Sequence, residues 1–226
     1  MIDIRQEVTA VIEATILVVA TLFPIVNPLG SAAIFVNLVG EVASTTQRLL
    51  AQKIAVYSFF LLICSVLWGV DVLAFFGISI YAVQIGGGLV VAATGWSLLN
   101  QDTGRAKSTA AGEDDILENA FYPFTLPITV GPGSISVAIT LGAHLPSELH
   151  ESHLLSPRVL IAAIGGITLI CLIIYFCYLY ARKAEQLLGR SGTSMVMRLS
   201  SFILLCIGVQ IISTGVKAYL QTVGKI

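Results

Sequence analysis

Charge is what this sequence has least of. Only 11% of its 226 residues are Asp, Glu, Lys or Arg, whereas 56% are hydrophobic. Soluble domains carry about 25% charged residues, so this chain has too little charge to cover a water-exposed surface, and we expect the lipid bilayer to surround most of it. The net charge is −1, and no basic patch is interleaved with aromatic residues, which argues against a nucleic-acid partner.

Metal-binding and redox patterns are also scarce. The four cysteines all lie in apolar runs, and none of them belongs to a CxxC pair. Isolated thiols of this kind behave as small hydrophobic residues. The intervals between His144, His150 and His153 are weak metal signals, and we interpret these histidines as part of a solvated outer loop. We therefore expect no disulfide, no metal site and no cofactor.

The sequence offers no set of residues for catalysis inside a membrane. No GxSG motif accompanies a histidine at membrane depth, and no pair of aspartates lies within an apolar run. Chemistry at that depth needs a nucleophile with a base, or a pair of carboxylates. We therefore expect that the protein is not an enzyme.

Six charge-free runs are present, and each is long enough for a spanning helix, which needs roughly 17–25 residues. The runs are Ala14–Gly40, Ile54–Val70, Val72–Gln101, Asn119–Ser147, Val159–Ala181 and Leu199–Val216. We expect an all-α membrane protein with six transmembrane helices. The polar segment 101–118 indicates a cytoplasmic linker, which would divide one membrane domain into residues 1–100 and 119–226.

Lysine and arginine are unevenly divided between the two sides of a six-span protein. The loops after the first, third and fifth spans hold eight of the twelve, and the termini with the remaining loops hold four. Basic loops face the cytoplasm. We therefore expect a multi-pass protein of the cell inner membrane with both termini on the periplasmic side.

Two of the six runs contain clusters of proline and glycine. The first reads FPIVNPLGS from Phe23 to Ser31, and the fourth reads PITVGPGS from Pro127 to Ser134. Proline removes a backbone donor and clashes with the preceding turn. Interrupted backbone is tolerated at membrane depth only inside protein or beside a water-filled cavity. Both runs therefore predict broken helices that face the interior of the bundle.

The two broken runs occupy corresponding positions in two halves of the chain. Pro28 aligns with Pro132 at an offset of 104 residues, and Gly95 in the third run matches Gly208 in the sixth at an offset of 113 residues. With three spans in each half, the halves must cross the membrane in opposite directions, as an inverted-topology repeat. Such repeats with interrupted helices indicate the midplane site of a secondary transporter. Two unrelated proline kinks in a six-helix bundle are the alternative.

The two breaks also predict the chemistry of a substrate site. A half-helix that begins after Pro28 or Pro132 presents free N–H groups and a positive dipole end to a carboxylate. The freed carbonyls suit an ammonium group, so we expect a small zwitterion in a small pocket. The candidate substrate-binding residues are Asn27, which suits a helix cap, and Pro28, Gly30, Ser31, Thr129, Gly131, Pro132, Gly133 and Ser134.

Several residues outside the breaks have structural interpretations. Glu13 and Asp71 are expected at the membrane surface, before the first span and between the second and third spans. The run Gly86–Gly88 is expected at a close helix contact. Tyr178, near the end of the fifth span, is expected in the interfacial belt of aromatic residues.

The sequence resembles the MarC family of bacterial and archaeal membrane proteins over essentially its whole length. The resemblance rests on Asn27-Pro28-Leu29-Gly30, on Pro127–Pro132, and on the segments Phe76–Ile80 and Gly87–Gly95. It implies a six-span inner-membrane transporter, and some members are similar to transporters of small neutral amino acids such as glycine and alanine. Many relatives have alanine at the position of Val130, and the bulkier valine is expected to narrow the pocket.

Two functions of different classes follow. The first is a secondary transporter of a small neutral solute, above all a small neutral amino acid, in which the two repeats give alternating access. The second is a non-transporting membrane partner or regulatory protein of the MarC type, linked to drug or stress response. The identity of the substrate, the direction of transport, coupling to protons or sodium, and assembly into a homo-oligomer stay open at this point.

Overall fold

The structure, a computed structural model, describes residues 4–40, 42–100, 113–149 and 154–223, and all regular structure in these ranges is helical. This confirms the expected all-α fold. The helices are α1 Ile4–Val26, α2 Pro28–Val39, α3 Ser44–Phe75, α4 Ile80–Asn100, α5 Glu113–Glu118, a π-helical segment Ala120–Thr129, α6 Pro132–Glu148, α7 Pro157–Leu179 and α8 Ala181–Val223.

Five stretches are long and apolar enough to cross a membrane by themselves, and α1 together with α2 forms the first of them. The π-helical segment and α6 pass the same test as a pair, with a bend of 67° between them. Counting the bent pair as one span gives six, in agreement with the six charge-free runs. The connection between α3 and α4 is short, residues 76–79, within the stretch that begins the third run.

Polar residues at the margins of the runs lie within helices, because the helices extend beyond the charge-free stretches. Glu13 is exposed in α1, and Asp71 is exposed near the end of α3 instead of lying between two helices. His144 lies in α6 and is exposed, so its assignment to a loop was wrong. His150 and His153 lie outside the described residues.

The polar segment 101–118 is described only from Glu113 onward. Its last part forms α5, in which Ile116 is buried against the core. The Lys53 ammonium group donates a hydrogen bond to the carbonyl oxygen of Leu117 at 3.2 Å. This end of the expected linker is therefore packed against α3.

Helix packing places the two breaks in the middle of the bundle. α3 and α7 pack on each other, α1 packs on α7, and α6 packs on α3. The α4–α8 pair has the most extensive contact, and α4 also touches α6 while α8 touches α2. Side chains with no exposed surface, such as Val18, Leu62 and Ile167, fill the core of this arrangement.

Glycines allow α4 and α8 to approach closely. A Cβ atom on Gly95 would lie 2.6 Å from a backbone nitrogen of α8, and one on Gly88 would lie 2.8 Å from the Gly208 carbonyl oxygen. Close backbone approach of this kind depends on small residues. A Cβ on Gly87 would meet Ser136, whereas Gly86 faces open space. The expected packing role therefore applies to Gly87 and Gly88 but not to Gly86.

Candidate functional site

The first break is a single residue, Asn27, which joins α1 to α2 in the left-handed conformation with φ 47° and ψ 58°. This conformation is unfavourable for most residues, but asparagine adopts it because its short amide can form a local hydrogen bond. The Asn27 Oδ1 atom accepts a hydrogen bond from the Gly30 amide at 3.2 Å, and Pro28 is the first helical residue of α2. The predicted cap of a half-helix that begins at Pro28 is confirmed.

The second break is wider and more sharply bent. Tyr122 and Leu126 have extended backbone within the π-helical segment, because each precedes a proline, which disfavours helical geometry at that position. The Val130 amide donates to the carbonyl five residues earlier at 2.8 Å, the spacing of a π-helix. α6 then begins at Pro132, and its cap Gly131 has no side chain that could accept a hydrogen bond from the helix.

Hydroxyl groups at the breaks lie within hydrogen-bonding distance of backbone carbonyl oxygens. The Thr129 hydroxyl donates to the carbonyl oxygen of Phe124 at 2.7 Å. The Ser31 hydroxyl lies 3.2 Å from two carbonyl oxygens, those of Val26 and Ile128. The contact with Ile128 joins the two broken segments directly.

A cavity of about 550 Å³, which we term the first cavity, lies between the two breaks, α4 and α8. Its volume lies in the range of ligand cavities, about 300–1,000 Å³, and is larger than the small pocket that we expected. Two candidate residues, Pro28 and Gly30, are buried in α2 and do not line it. The other seven do line it: Asn27, Ser31, Thr129, Gly131, Pro132, Gly133 and Ser134.

α4 contributes two further hydroxyl groups to this lining, from Thr94 and Ser97. Neither was among the predicted site residues. Their spacing of three residues places them on one helix face, which is visible in the sequence. That this face borders the cavity follows only from the way in which α4 packs.

Tyr178 was predicted at the membrane interface, but it is fully buried. Its hydroxyl lies 2.7 Å from the Thr129 hydroxyl, and its ring stacks on Phe35 with a centroid distance of 4.6 Å. On α7 it continues the buried positions Ile170 and Ile174 at intervals of four residues, the spacing of one helix face. Because nearly every position of α7 is apolar, the sequence does not distinguish this face of the helix from the others.

The first cavity has an uncharged lining as far as the structure describes it, since the described residues around it include no Asp, Glu, Lys, Arg or His. In the part of the chain that the structure describes, no group of three or more His, Cys, Asp or Glu residues could hold a metal ion. Val130 is fully buried and is not a lining residue, so the expected narrowing by its side chain is not observed.

A bundle of long apolar helices with two internal breaks defines a multi-pass integral membrane protein. Residues 12–220 match the MarC family of integral membrane proteins, and the chain belongs to that family. It is 30% identical over 209 residues to the UPF0056 inner membrane protein MarC of Escherichia coli O1:K1 / APEC, and 29% identical over 214 residues to that of Salmonella arizonae. Each alignment covers 89% of this chain and 93% of the relative.

No solved structure matches the chain. The family and its apolar helices together make this a multi-pass protein of the inner membrane, with lipid around the bundle.

Proposed function

We propose that this protein is a secondary transporter of a small neutral solute, with small neutral amino acids as the substrate class, and that the first cavity is its substrate site. One observation carries this proposal: both broken segments border the same cavity, and the Ser31–Ile128 contact joins them there. Interrupted helices that meet at a cavity inside a bundle are the arrangement by which secondary transporters bind solutes near the membrane centre.

The two half-helices differ in their capacity to bind an anion. The start of α2 is capped by the Asn27 side chain, whereas the cap of α6 is Gly131. The amides of Gly133 and Ser134 belong to the first turn of α6, where no intrahelical acceptor is available, and both residues border the cavity. A substrate carboxylate would accept hydrogen bonds from these amides, with the helix dipole adding to the attraction. The uncapped start of α6 thus supports α6 over α2 as the carboxylate site.

The uncharged lining of the first cavity supports a substrate without net charge. A buried ion without a counter-charge is strongly unfavourable, and a zwitterion supplies both charges itself. Its ammonium group would donate to side-chain oxygens of Asn27, Thr94 and Ser97, which all line this cavity. Catalysis is not part of this proposal, because the described residues of this lining offer hydroxyls and one amide but no thiol, imidazole or carboxylate.

We further propose that residues 1–100 and 119–226 form an inverted repeat. Exchanging the first three spans with the last three leaves the pattern of helix packing unchanged. The span formed by α1 and α2 packs on α7 as the span formed by the π-helical segment and α6 packs on α3, and α2 touches α8 as α6 touches α4. The same exchange turns α3 into α7 and α4 into α8, so the α3–α7 contact and the α4–α8 contact are each unchanged. This pattern supports alternating access in which one half rocks against the other.

The uneven division of Lys and Arg supports a periplasmic position for both termini. In α4 the lining residues of the first cavity lie between Val90 and Leu98, in the second half of the helix. In α2 they are Ser31 and Ile34. These parts lie toward the end of α4 that leads into the polar segment 101–118. In the proposed orientation the first cavity therefore lies on the cytoplasmic side of the breaks.

Thermal unfolding of the purified protein with added glycine, L-alanine or L-serine tests the substrate class. A ligand that binds only the folded state stabilises it by about 2.7 kcal/mol at a hundred times its Kd. We expect an increase in Tm with at least one of the three amino acids. Glycinamide lacks the carboxylate and is the matched control, so it should give no increase.

Uptake into proteoliposomes with imposed proton or sodium gradients then tests transport and its coupling. The alternative function, a non-transporting partner, predicts neither stabilisation by small solutes nor uptake. Stabilisation by an amino acid without any uptake would support the proposed substrate site but contradict the proposed transport.

A further inference from the structure

A second cavity, of about 380 Å³, lies on the other side of the breaks. The second half of α1, the start of α4, the second half of α6 and the second half of α8 surround it. Several polar side chains line it: Thr21, Gln84, Thr140, His144, Gln210 and Thr214. We term it the second cavity.

Gln84 is the most informative residue of this lining. Its side chain is only 6% exposed, yet its amide makes no hydrogen bond to any residue in the described part of the chain. A glutamine amide offers two donors and one acceptor. Gln84 borders the second cavity, so a polar group bound there would pair with this amide.

Corresponding positions of the two halves line the two cavities. The shift along the chain that sets Gly95 on Gly208 also sets Thr94 on Ile207, Ser97 on Gln210 and Leu98 on Ile211. The α4 members of these pairs border the first cavity, and the α8 members border the second. The two cavities are thus lined by equivalent faces of the third and sixth spans.

The two cavities have a lining residue in common. Ile25 lines both of them and is almost completely buried. It lies two residues before the break at Asn27, so its position depends on the geometry of that break. Nearby, the Ser136 hydroxyl donates to the Val83 carbonyl oxygen at 2.8 Å and holds α6 against α4.

We propose that the second cavity is a second binding site for the transported neutral solute, reached from the opposite side of the membrane, with the Gln84 amide as its recognition group. This inference rests on the proposed transport function. Rocking of the two halves would close one cavity as it opens the other, and the solute would pass Ile25 between them. The amide of Gln84 would bind a carboxylate, hydroxyl or carbonyl oxygen of the solute as donor, or an ammonium group as acceptor.

Cysteine labelling tests the position of the second cavity without knowledge of the substrate. The variants Ser97→Cys and Gln210→Cys, which are equivalent in the repeat, are made in a chain whose four native cysteines are replaced by alanine. Each is exposed to a membrane-impermeant maleimide in right-side-out spheroplasts and in inverted vesicles. A chain that retains only Cys206, which is exposed on α8 but lines neither cavity, controls for reagent that leaks into the bilayer.

We expect modification of Ser97→Cys from one side only and of Gln210→Cys from the opposite side only. Any other pattern, including no modification of Gln210→Cys, overturns the proposal. Labelling does not require transport, so the expected pattern can appear even if the protein transports no amino acid. If the pattern fails while transport is intact, the second site alone is rejected.

The role of Gln84 is tested by Gln84→Leu in the native chain. We expect the KM for uptake of the best amino acid among glycine, L-alanine and L-serine to rise three- to tenfold on the side of the second cavity. Gln52→Leu makes the same change at an exposed glutamine of α3 that lines neither cavity, and it should leave the KM unchanged. An unchanged KM in a well-folded Gln84→Leu variant would rule out recognition by this amide.

Discussion

The Ser31 hydroxyl lies 3.2 Å from the carbonyl oxygen of Ile128, although the two residues are 97 positions apart in the chain. It lies at the same distance from the Val26 carbonyl oxygen, and a serine hydroxyl has one proton to donate. The two breaks therefore share a single donor. Next to Ile128, Thr129 is bonded to Tyr178, so both breaks belong to one hydrogen-bonded unit that is anchored on α7.

Replacement of Ser31 by alanine removes the donor that connects the breaks. We expect Ser31→Ala to lower the free energy of unfolding by about 1 kcal/mol, since the partly buried carbonyl of Ile128 loses this partner. Solute binding should weaken as well, because Ser31 lines the first cavity. Ser213→Ala, at an exposed serine of α8, is the control and should change neither Tm nor binding. Equal effects of the two variants would contradict a link between the breaks through Ser31.

Tyr178→Phe removes one hydroxyl and keeps the ring that stacks on Phe35. We expect a loss of about 1 kcal/mol in stability, because Thr129 loses its buried partner. The affinity for the solute should fall too, since Thr129 lines the first cavity. Tyr180→Phe makes the same change at a tyrosine that is 49% exposed, and its Tm should equal that of the wild type. Wild-type stability of Tyr178→Phe would show that the Thr129–Tyr178 contact is not stabilising.

Asn27 combines a cap, a cavity-lining amide and left-handed backbone, and two substitutions separate the backbone conformation from the roles of the amide. Both Asn27→Ala and Asn27→Gly lose the amide, but glycine adopts φ 47° without strain. We expect the alanine variant to be less stable than the glycine variant by about 1–2 kcal/mol, the energy of left-handed backbone with a Cβ. Solute affinity should fall in both. Normal affinity of Asn27→Gly would remove Asn27 from the site.

Gly30 lies under the Asn27 side chain, and a Cβ added to it would lie 2.9 Å from the Asn27 Cγ atom. Overpacking of this kind is destabilising by about 1–3 kcal/mol, and we expect Gly30→Ala to lose that much. In an Asn27→Gly background the clash is absent, and alanine should be neutral or stabilising because it favours helix. A double-mutant cycle by thermal unfolding measures this coupling. Additive effects of the two substitutions would contradict the packing of Asn27 over Gly30.

The contact between α4 and α8 gives a prediction with a control on the same helix. Gly95→Ala places a Cβ 2.6 Å from an α8 backbone nitrogen, so we expect a clear decrease in Tm. Gly86→Ala adds the same group where the space is open, and helix propensity should then stabilise the protein by about 0.5–1 kcal/mol. Thermal unfolding of both variants tests the close approach of the two helices. A smaller effect at Gly95 than at Gly86 would contradict it.

Much of the fold could be read from the sequence because lipid imposes simple rules on it. Charge-free runs of sufficient length must be helical, since no water is available to bind free backbone groups in the bilayer. Proline and glycine marked both breaks for a local reason, namely a missing donor and a steric clash. The cap formed by Asn27 was predictable for the same reason, because it depends on residues only three positions away.

The sequence by itself determined the apolar spans, the position of the two breaks and the half-helices that begin at Pro28 and Pro132. All of these follow from interactions within about one helical turn. Only the tertiary structure decided that both breaks border one cavity, that Tyr178 faces inward to Thr129, and that Gln84 borders a second cavity. These depend on which face each helix turns toward its neighbours. In a chain that is apolar on nearly every face, hydrophobicity does not specify that orientation, and close packing at glycines and buried hydrogen bonds do so instead.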